Sequence, residues 1–176
     1  MKVWIRAIFL VVLVLVQTSG PAFAGRFRVT KVYDGDTLKA ETPDLVIYVM
    51  LVGIDAPEIA QRSGQPDQPF GREAKKFLSD LLLNRTVVVE GYGTLPYPDK
   101  DLIGVIYLRG RNINLEMVKR GLAEVQRKNL PDEFDIRPYL AAEAEAKAAG
   151  RGMWALGDNY VSPAVWRRTH QWNCRP

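Results

Sequence analysis

Two short acidic stretches, Asp34-Gly35-Asp36-Thr37 and Ile54-Asp55-Ala56-Pro57-Glu58, carry the residue types best suited to chemistry in this chain. Carboxylates are hard oxygen donors, so Asp34, Asp36 and Asp55 on two adjacent turns could hold a hard divalent cation. Pro57 fixes its own φ and pushes Ala56 toward an extended conformation. Asp55 and Glu58 therefore sit on a stiff turn at the end of a strand, where a site can hold its geometry. A plainer reading competes, because Asp, Gly and Pro favour turns on any protein surface. The pair of turns, in this order and at this spacing, is more specific than either alone. Other chemistries have little to work with. His170 is the sole histidine and Cys174 the sole cysteine. A Ser-His-Asp or Cys-His mechanism has no further histidine to use, and a Cys/His zinc site is excluded.

To position those turns the chain must supply strands on either side of each. Phe27–Tyr33 and Thr37–Glu41 read as short strands around the first turn, and Leu45–Val52 as an apolar third strand leading into the second. Arg85–Glu90 and Leu102–Leu108 complete a set of five. Between the third and fourth strands, Phe70, Ala74, Phe77, Leu78, Leu81 and Leu82 give the stripe of an amphipathic helix over 70–83. Ile113–Arg120 is a second helix, stopped by Gly121, and Pro138–Ala149 a third, with proline in its first turn and Gly150 after its end. Ala144 and Ala148 are expected to bring the third helix close to the sheet, with Trp154 as a buried aromatic plug. Gln61–Gln68 and Gly91–Asp101 read as loops, the first as a mobile one. The sum is an α+β chain: a five-stranded, OB-fold-like β-barrel with about three packed helices.

The chain of 176 residues divides in three. Met1–Ala24 has the positive start, short apolar run and small-x-small end of a cleavable secretory signal, and the run is short for a membrane span. Residues 25–160 suffice for one well-packed domain, held by its core because a lone cysteine allows no internal disulfide. Residues 161–176 form a basic, aromatic tail containing Trp166, Arg167, Arg168, Trp172 and Arg175. That tail reads either as a loose terminus or as a contact to phosphate or base. The charge of +4 falls to +2 without Lys2 and Arg6, a weak footprint for a nucleic-acid partner. The expected location is secreted, periplasmic or cell-envelope, as a monomer without stable membrane association once the signal is cleaved.

The two acidic stretches, taken with Pro69-Phe70-Gly71-Arg72-Glu73-Ala74, Asn114-Leu115-Glu116-Met117-Val118, Gly121-Leu122-Ala123, Ala142–Ala146 and Gly152-Met153-Trp154, resemble the staphylococcal nuclease (thermonuclease) family over about residues 26–156. The resemblance implies an OB-fold barrel and calcium-dependent phosphodiester hydrolysis of DNA or RNA. By it, Asp36, Asp55 and the backbone carbonyl of Ala56 would hold the calcium, with Asp34 nearby. Glu58 would be the general base that takes a proton from the attacking water.

The chain departs from the family pattern at two positions where arginines contact the phosphate. Met50 stands at one and Asp101 at the other. Methionine offers no charge, and aspartate would repel a phosphate that an arginine fork would bind. Lys100 is the nearest substitute, as a point charge; Arg72, Arg109 and Arg111 are weaker candidates. The reading is therefore a nuclease of reduced activity. A non-catalytic OB-fold module that binds nucleic acid or another polyanion stays open beside it, with an envelope scaffold lacking both functions as a third possibility.

Overall fold

A computed structural model of the chain describes residues 23–60, 64–96 and 101–170. The elements run β1 (Phe23–Val32), β2 (Thr37–Glu41), β3 (Val46–Leu51), β4 (Ile54–Asp55), α1 (Gly71–Leu82), β5 (Thr86–Thr94), β6 (Leu102–Leu108), β7 (Arg111–Asn112), α2 (Ile113–Lys119), β8 (Glu124–Val125), α3 (Arg137–Ala148), a 3-10 segment Gly152–Asn159, and α4 (Pro163–Thr169). The long strands pair in the order β3-β2-β1-β5-β6, and a parallel β3–β6 pairing closes them into a barrel. That closure sets Met50 beside Ile103 and Leu51 beside Gly104. Closing the sheet removes its free edges.

Alternate residues of β2, β3 and β5, with consecutive residues of β6, are buried in the interior. Leu38 and Ala40 of β2, Val49 and Leu51 of β3, Val87 and Val89 of β5, and Val105 and Ile106 of β6 are all buried. Helix α1 adds Ala74, Leu78 and Leu82, one residue per turn on a single face. Asn114 on α2 is fully buried and satisfied. Its Oδ1 accepts from the Ile106 amide at 3.0 Å, and its Nδ2 donates to the carbonyls of Val52 and Gly104, each at 3.0 Å. One side chain thus ties α2 and β6 to the segment that runs into the Asp55 turn.

The five-stranded α+β barrel agrees with the sequence reading, and several details differ. Strand β1 begins at Phe23, pairing Phe23 with Gly91 and Ala24 with Glu90, so two residues of the expected signal segment lie in the barrel. Strand β5 runs on to Thr94, where a loop was expected from Gly91, because both β1 and β6 supply partners for its far end. On α3 the buried residues are Tyr139, Ala142, Glu143 and Ala146, whereas Ala144 and Ala148 are exposed. The phase follows the helical stripe through Tyr139 rather than the alanine spacing. Met153 is the buried plug; Trp154 is half-buried and packs at a tilt of 50° on Tyr160, with 4.5 Å between ring centres. Gln68, assigned to a mobile loop, is buried. The largest difference is the tail, whose residues 163–169 form α4.

Candidate active site

The Asp34–Thr37 turn joins β1 to β2, and its own bonds shape it. The Tyr33 amide donates to the Thr37 carbonyl at 2.9 Å, and the Asp36 amide to Asp34 Oδ1 at 3.1 Å. Gly35 lets this turn approach the second one. A Cβ there would stand 2.6 Å from the Ala56 methyl and 2.7 Å from that of Ala74, so only glycine fits. Across this contact the Ala56 amide donates to Asp36 Oδ2 at 2.7 Å, while the Thr37 hydroxyl donates to Oδ1. Asp36 and Asp55 are thereby brought together although 19 positions separate them.

Asp55 lies in β4, opposite Glu124 of β8. Glu58 is held through its backbone. Its amide donates to Gln68 Oε1 at 3.0 Å, and its carbonyl accepts from the Gln68 amide at 2.9 Å. At Gly71 a Cβ would stand 2.3 Å from the same carbonyl, so the start of α1 packs directly on the Glu58 backbone. Gln68 also reaches outward: its Nε2 donates to the Val161 carbonyl at 2.7 Å. One buried amide side chain therefore links the acidic turn to the C-terminal segment.

That segment lies over the acids. Ser162 caps α4 by accepting from the Val165 amide at 3.3 Å, and Pro163 at its start is buried. Trp166 lines a small cavity with Gln68, Pro69, Met153 and Tyr160. The next residue, Arg167, reaches the site. Its Nη1 and Nη2 donate to Asp55 Oδ1 and Oδ2, both at 2.8 Å, and Nη1 also donates to Glu58 Oε1. Just before α4, the Tyr160 hydroxyl donates to Glu124 Oε2.

The electrostatics follow from this crowding. Burial, then the charges of Asp34 and Asp55, push Asp36 well above the usual carboxylate range, against the opposing Ala56 amide bond. Glu58 is also raised, mainly by burial, although Arg167 pulls the other way. Glu124 is raised too, by burial first and then by Asp55, with the Tyr160 bond opposing. The Arg167 guanidinium is held firmly protonated by its bonds to Asp55 and Glu58.

The sequence-derived site residues fare differently. Asp34, Asp36, Asp55, Ala56 and Glu58 come together. Lys100 lies outside the described residues, as do Trp172 and Arg175. Met50 is half-buried opposite Thr37. Asp101 is buried at the start of β6, its carbonyl accepting from the Leu95 amide at 2.8 Å. Arg72 pairs with Asp67 and Arg111 with Glu116, so neither turns toward the acids. Two contributors escaped the sequence reading. Glu124 sits 69 positions beyond Asp55, and Gln68 had only the signature of a loop. The basic composition of the tail points to Arg167 but not to its partners, which lie 112 and 109 positions away.

As arranged, these residues do not fit a calcium ion. Their oxygens are of the right hardness. Yet both oxygens of Asp55 carry the guanidinium of Arg167, and among the described residues no three acids are disposed to share one ion.

Comparison with known proteins places the chain among nuclease relatives. A family model described as staphylococcal nuclease homologue matches residues 48–156. A protein of Haemophilus influenzae named "Uncharacterized endonuclease" is 39% identical over 147 residues, covering 83% of this chain and 75% of its own length. A "Probable endonuclease LCL3" of Debaryomyces hansenii is 32% identical over 171 residues, covering 81% of this chain and 72% of its own. A "Probable endonuclease lcl3" of Neosartorya fischeri is 38% identical over 131 residues; 67% of this chain matches, spanning only 43% of that longer protein. With a family model that matches more than half of the chain, and a bacterial relative alike over most of both lengths, the chain belongs to the staphylococcal nuclease homologue family.

Proposed function

We propose that this protein is a nuclease that hydrolyses phosphodiester bonds in DNA or RNA, with lower activity than a family member carrying both barrel arginines. The observation that supports this best is the convergence of Asp34, Asp36, Asp55 and Glu58 on two turns locked by the Asp36–Ala56 bond. In this reading Glu58 is the general base. Its Oε1 is engaged by Arg167, and Oε2 accepts the proton of the attacking water. The raised affinity of Glu58 for a proton, set by burial, makes it a stronger base than an exposed glutamate. Gln68 and the Gly71 contact keep its backbone from drifting, which preserves the line between base and water. Calcium dependence is part of this reading through family membership, although Arg167 occupies both oxygens of Asp55 in this arrangement. Export by the N-terminal segment belongs to it through the signal-like composition of residues 1–24.

Cleavage of a single-stranded DNA oligonucleotide by the purified protein, with and without calcium, tests this reading. Cleavage that disappears with Glu58→Gln is expected; equal cleavage by both proteins removes Glu58 from the mechanism. Calorimetry with calcium checks the cofactor, and equal heats for the parent and Asp36→Ala would take it away. A second reading, a barrel that binds nucleic acid without cutting it, is favoured by Met50 and the buried Asp101. Salt-dependent binding of DNA with no cleavage under any metal condition selects it.

A further inference from the structure

Neither Met50 nor Asp101 can offer a positive charge to a phosphate, yet a guanidinium stands at the acids all the same. Arg167 arrives from α4, and its side chain is 26% exposed. A guanidinium has five N–H donors on a planar fork. Three are used here: two from Nη1, to Asp55 and Glu58, and one from Nη2, to Asp55. The end of the fork, between Nη1 and Nη2, is thus fixed by Asp55. The side of the fork keeps Nε–H and the second Nη2–H, and neither donates to any group among the described residues. Two parallel donors on one edge match two oxygens of a phosphate.

We propose that Arg167 is the phosphate clamp of this site, anchored at one edge by Asp55 and Glu58 and presenting its other edge to a phosphodiester. The proposal rests on the nucleic-acid reading above and assigns the positive charge that Met50 and Asp101 cannot supply. Anchoring matters because a fork locked before substrate arrives loses little freedom on binding it. Three features of the chain provide the lock: the Gln68–Val161 bond, the Trp166 cavity and the Ser162 cap. The charge balance is consistent with the role. Among the described residues the acids at this site outnumber the cations that touch them, and a positive edge lowers the cost of a phosphate's approach.

The opposite role for the same contact is a plug, with α4 masking Asp55 and Glu58 until it leaves. The two roles predict opposite signs. Arg167→Gln and Arg167→Lys would be compared with the parent for binding of a phosphorothioate-linked single-stranded oligonucleotide across a salt series. Cleavage of an ordinary oligonucleotide and calorimetry with calcium would be measured in parallel. The clamp predicts weaker binding by Arg167→Gln, with the slope of log affinity against log salt shallower by about 0.7, the share of one phosphate contact on a single strand. Cleavage should fall about 100- to 1,000-fold, as when one donor to developing charge is lost. Arg167→Lys, which keeps the charge without the fork, should recover the salt slope and only part of the cleavage. Unchanged oligonucleotide binding and slope in Arg167→Gln would overturn the clamp. So would a gain in cleavage together with tighter calcium binding, which is the plug's signature. If the parent binds but never cleaves, the hydrolytic reading fails while the binding series still decides on Arg167. Should Arg167→Gln unfold, Arg167→Lys carries the test through its loss of cleavage at unchanged salt slope, and equal cleavage by lysine and arginine would count against the fork.

Discussion

Two places in this molecule bury a carboxylate against an arginine, and they behave in opposite ways. Glu143, on α3, is 3% exposed; it accepts from the Val125 amide at 2.8 Å, pairs with Arg127 and takes Lys147 Nζ at 2.9 Å. Its partners outweigh its burial, and its proton affinity is lowered. Glu58 also has an arginine partner and is nearly as buried, at 13% exposed, yet its proton affinity is raised. Burial is the first cause of the rise at Glu58, and its partners do not offset it as those of Glu143 do. Glu143 is one acid among two cations and an amide. Among the described residues Glu58 shares its one cation, Arg167, with Asp55 and feels the charge of Asp34 and Asp55 besides. The first arrangement is what stability favours, because the ionised form is fully matched. The second holds more negative charge than its partners can balance, which costs stability and is typical of sites kept for binding or chemistry.

The largest expected effect that would break this comparison is on activity. Glu58→Gln should lower cleavage by about 100- to 10,000-fold, the range of a lost general base, with little change in melting temperature. Glu143→Gln should do the reverse. It should cost about 2 kcal/mol by urea unfolding, since a buried charged bond is weakened while Arg127 and Lys147 turn to water, and leave cleavage within about twofold. Near-equal loss of cleavage in the two variants would show that the regions are not functionally distinct.

Gln68→Leu comes next and falls between them. It removes one bond to the Glu58 turn and one to Val161, so about 1–3 kcal/mol of stability should go, together with part of the activity. A loss of stability with kcat untouched would show that Gln68 holds the tail and not the base.

The smallest effect is a matter of pH. Glu143 is depressed on folding, so its contribution is present above the unfolded glutamate pKa of about 4.3 and is lost as pH falls through the folded value. Asp36 is raised on folding, so its ionised form opposes folding at neutral pH, and this penalty is relieved as pH falls through the raised value. Asp36→Asn should therefore increase the urea midpoint at pH 7 while removing activity, and Glu143→Gln should flatten the fall in stability below about pH 4.3. An Asp36→Asn protein no more stable than its parent would contradict the burial argument.

Much of the architecture was legible because it is written locally. The α1 stripe, the Asp-Gly and Ala-Pro turns, and the stop at Gly121 each depend on residues within a few positions of one another. The same locality explains the misreadings. Loop composition at 61–68 said nothing of Gln68, whose two side-chain partners lie 10 and 93 positions away. The alanines of α3 could not report the helix phase, since alanine fits a buried and an exposed face equally. Composition alone therefore cannot separate Ala144 from the face that Ala142 and Ala146 occupy.

The sequence by itself determined the acids: which carboxylates exist, that they sit on stiff turns at strand ends, and that a barrel would carry those turns. Proline and glycine act on the backbone at their own positions, so such features need no distant partner to be read. Only the tertiary structure decided what the acids face. Whether Asp55 meets a cation, water or Arg167 depends on where α4 docks, and that is set by the Trp166 cavity, the Gln68–Val161 bond and the Tyr160–Glu124 contact. Each joins segments tens of residues apart, through packing whose free energy exists only once the barrel has closed.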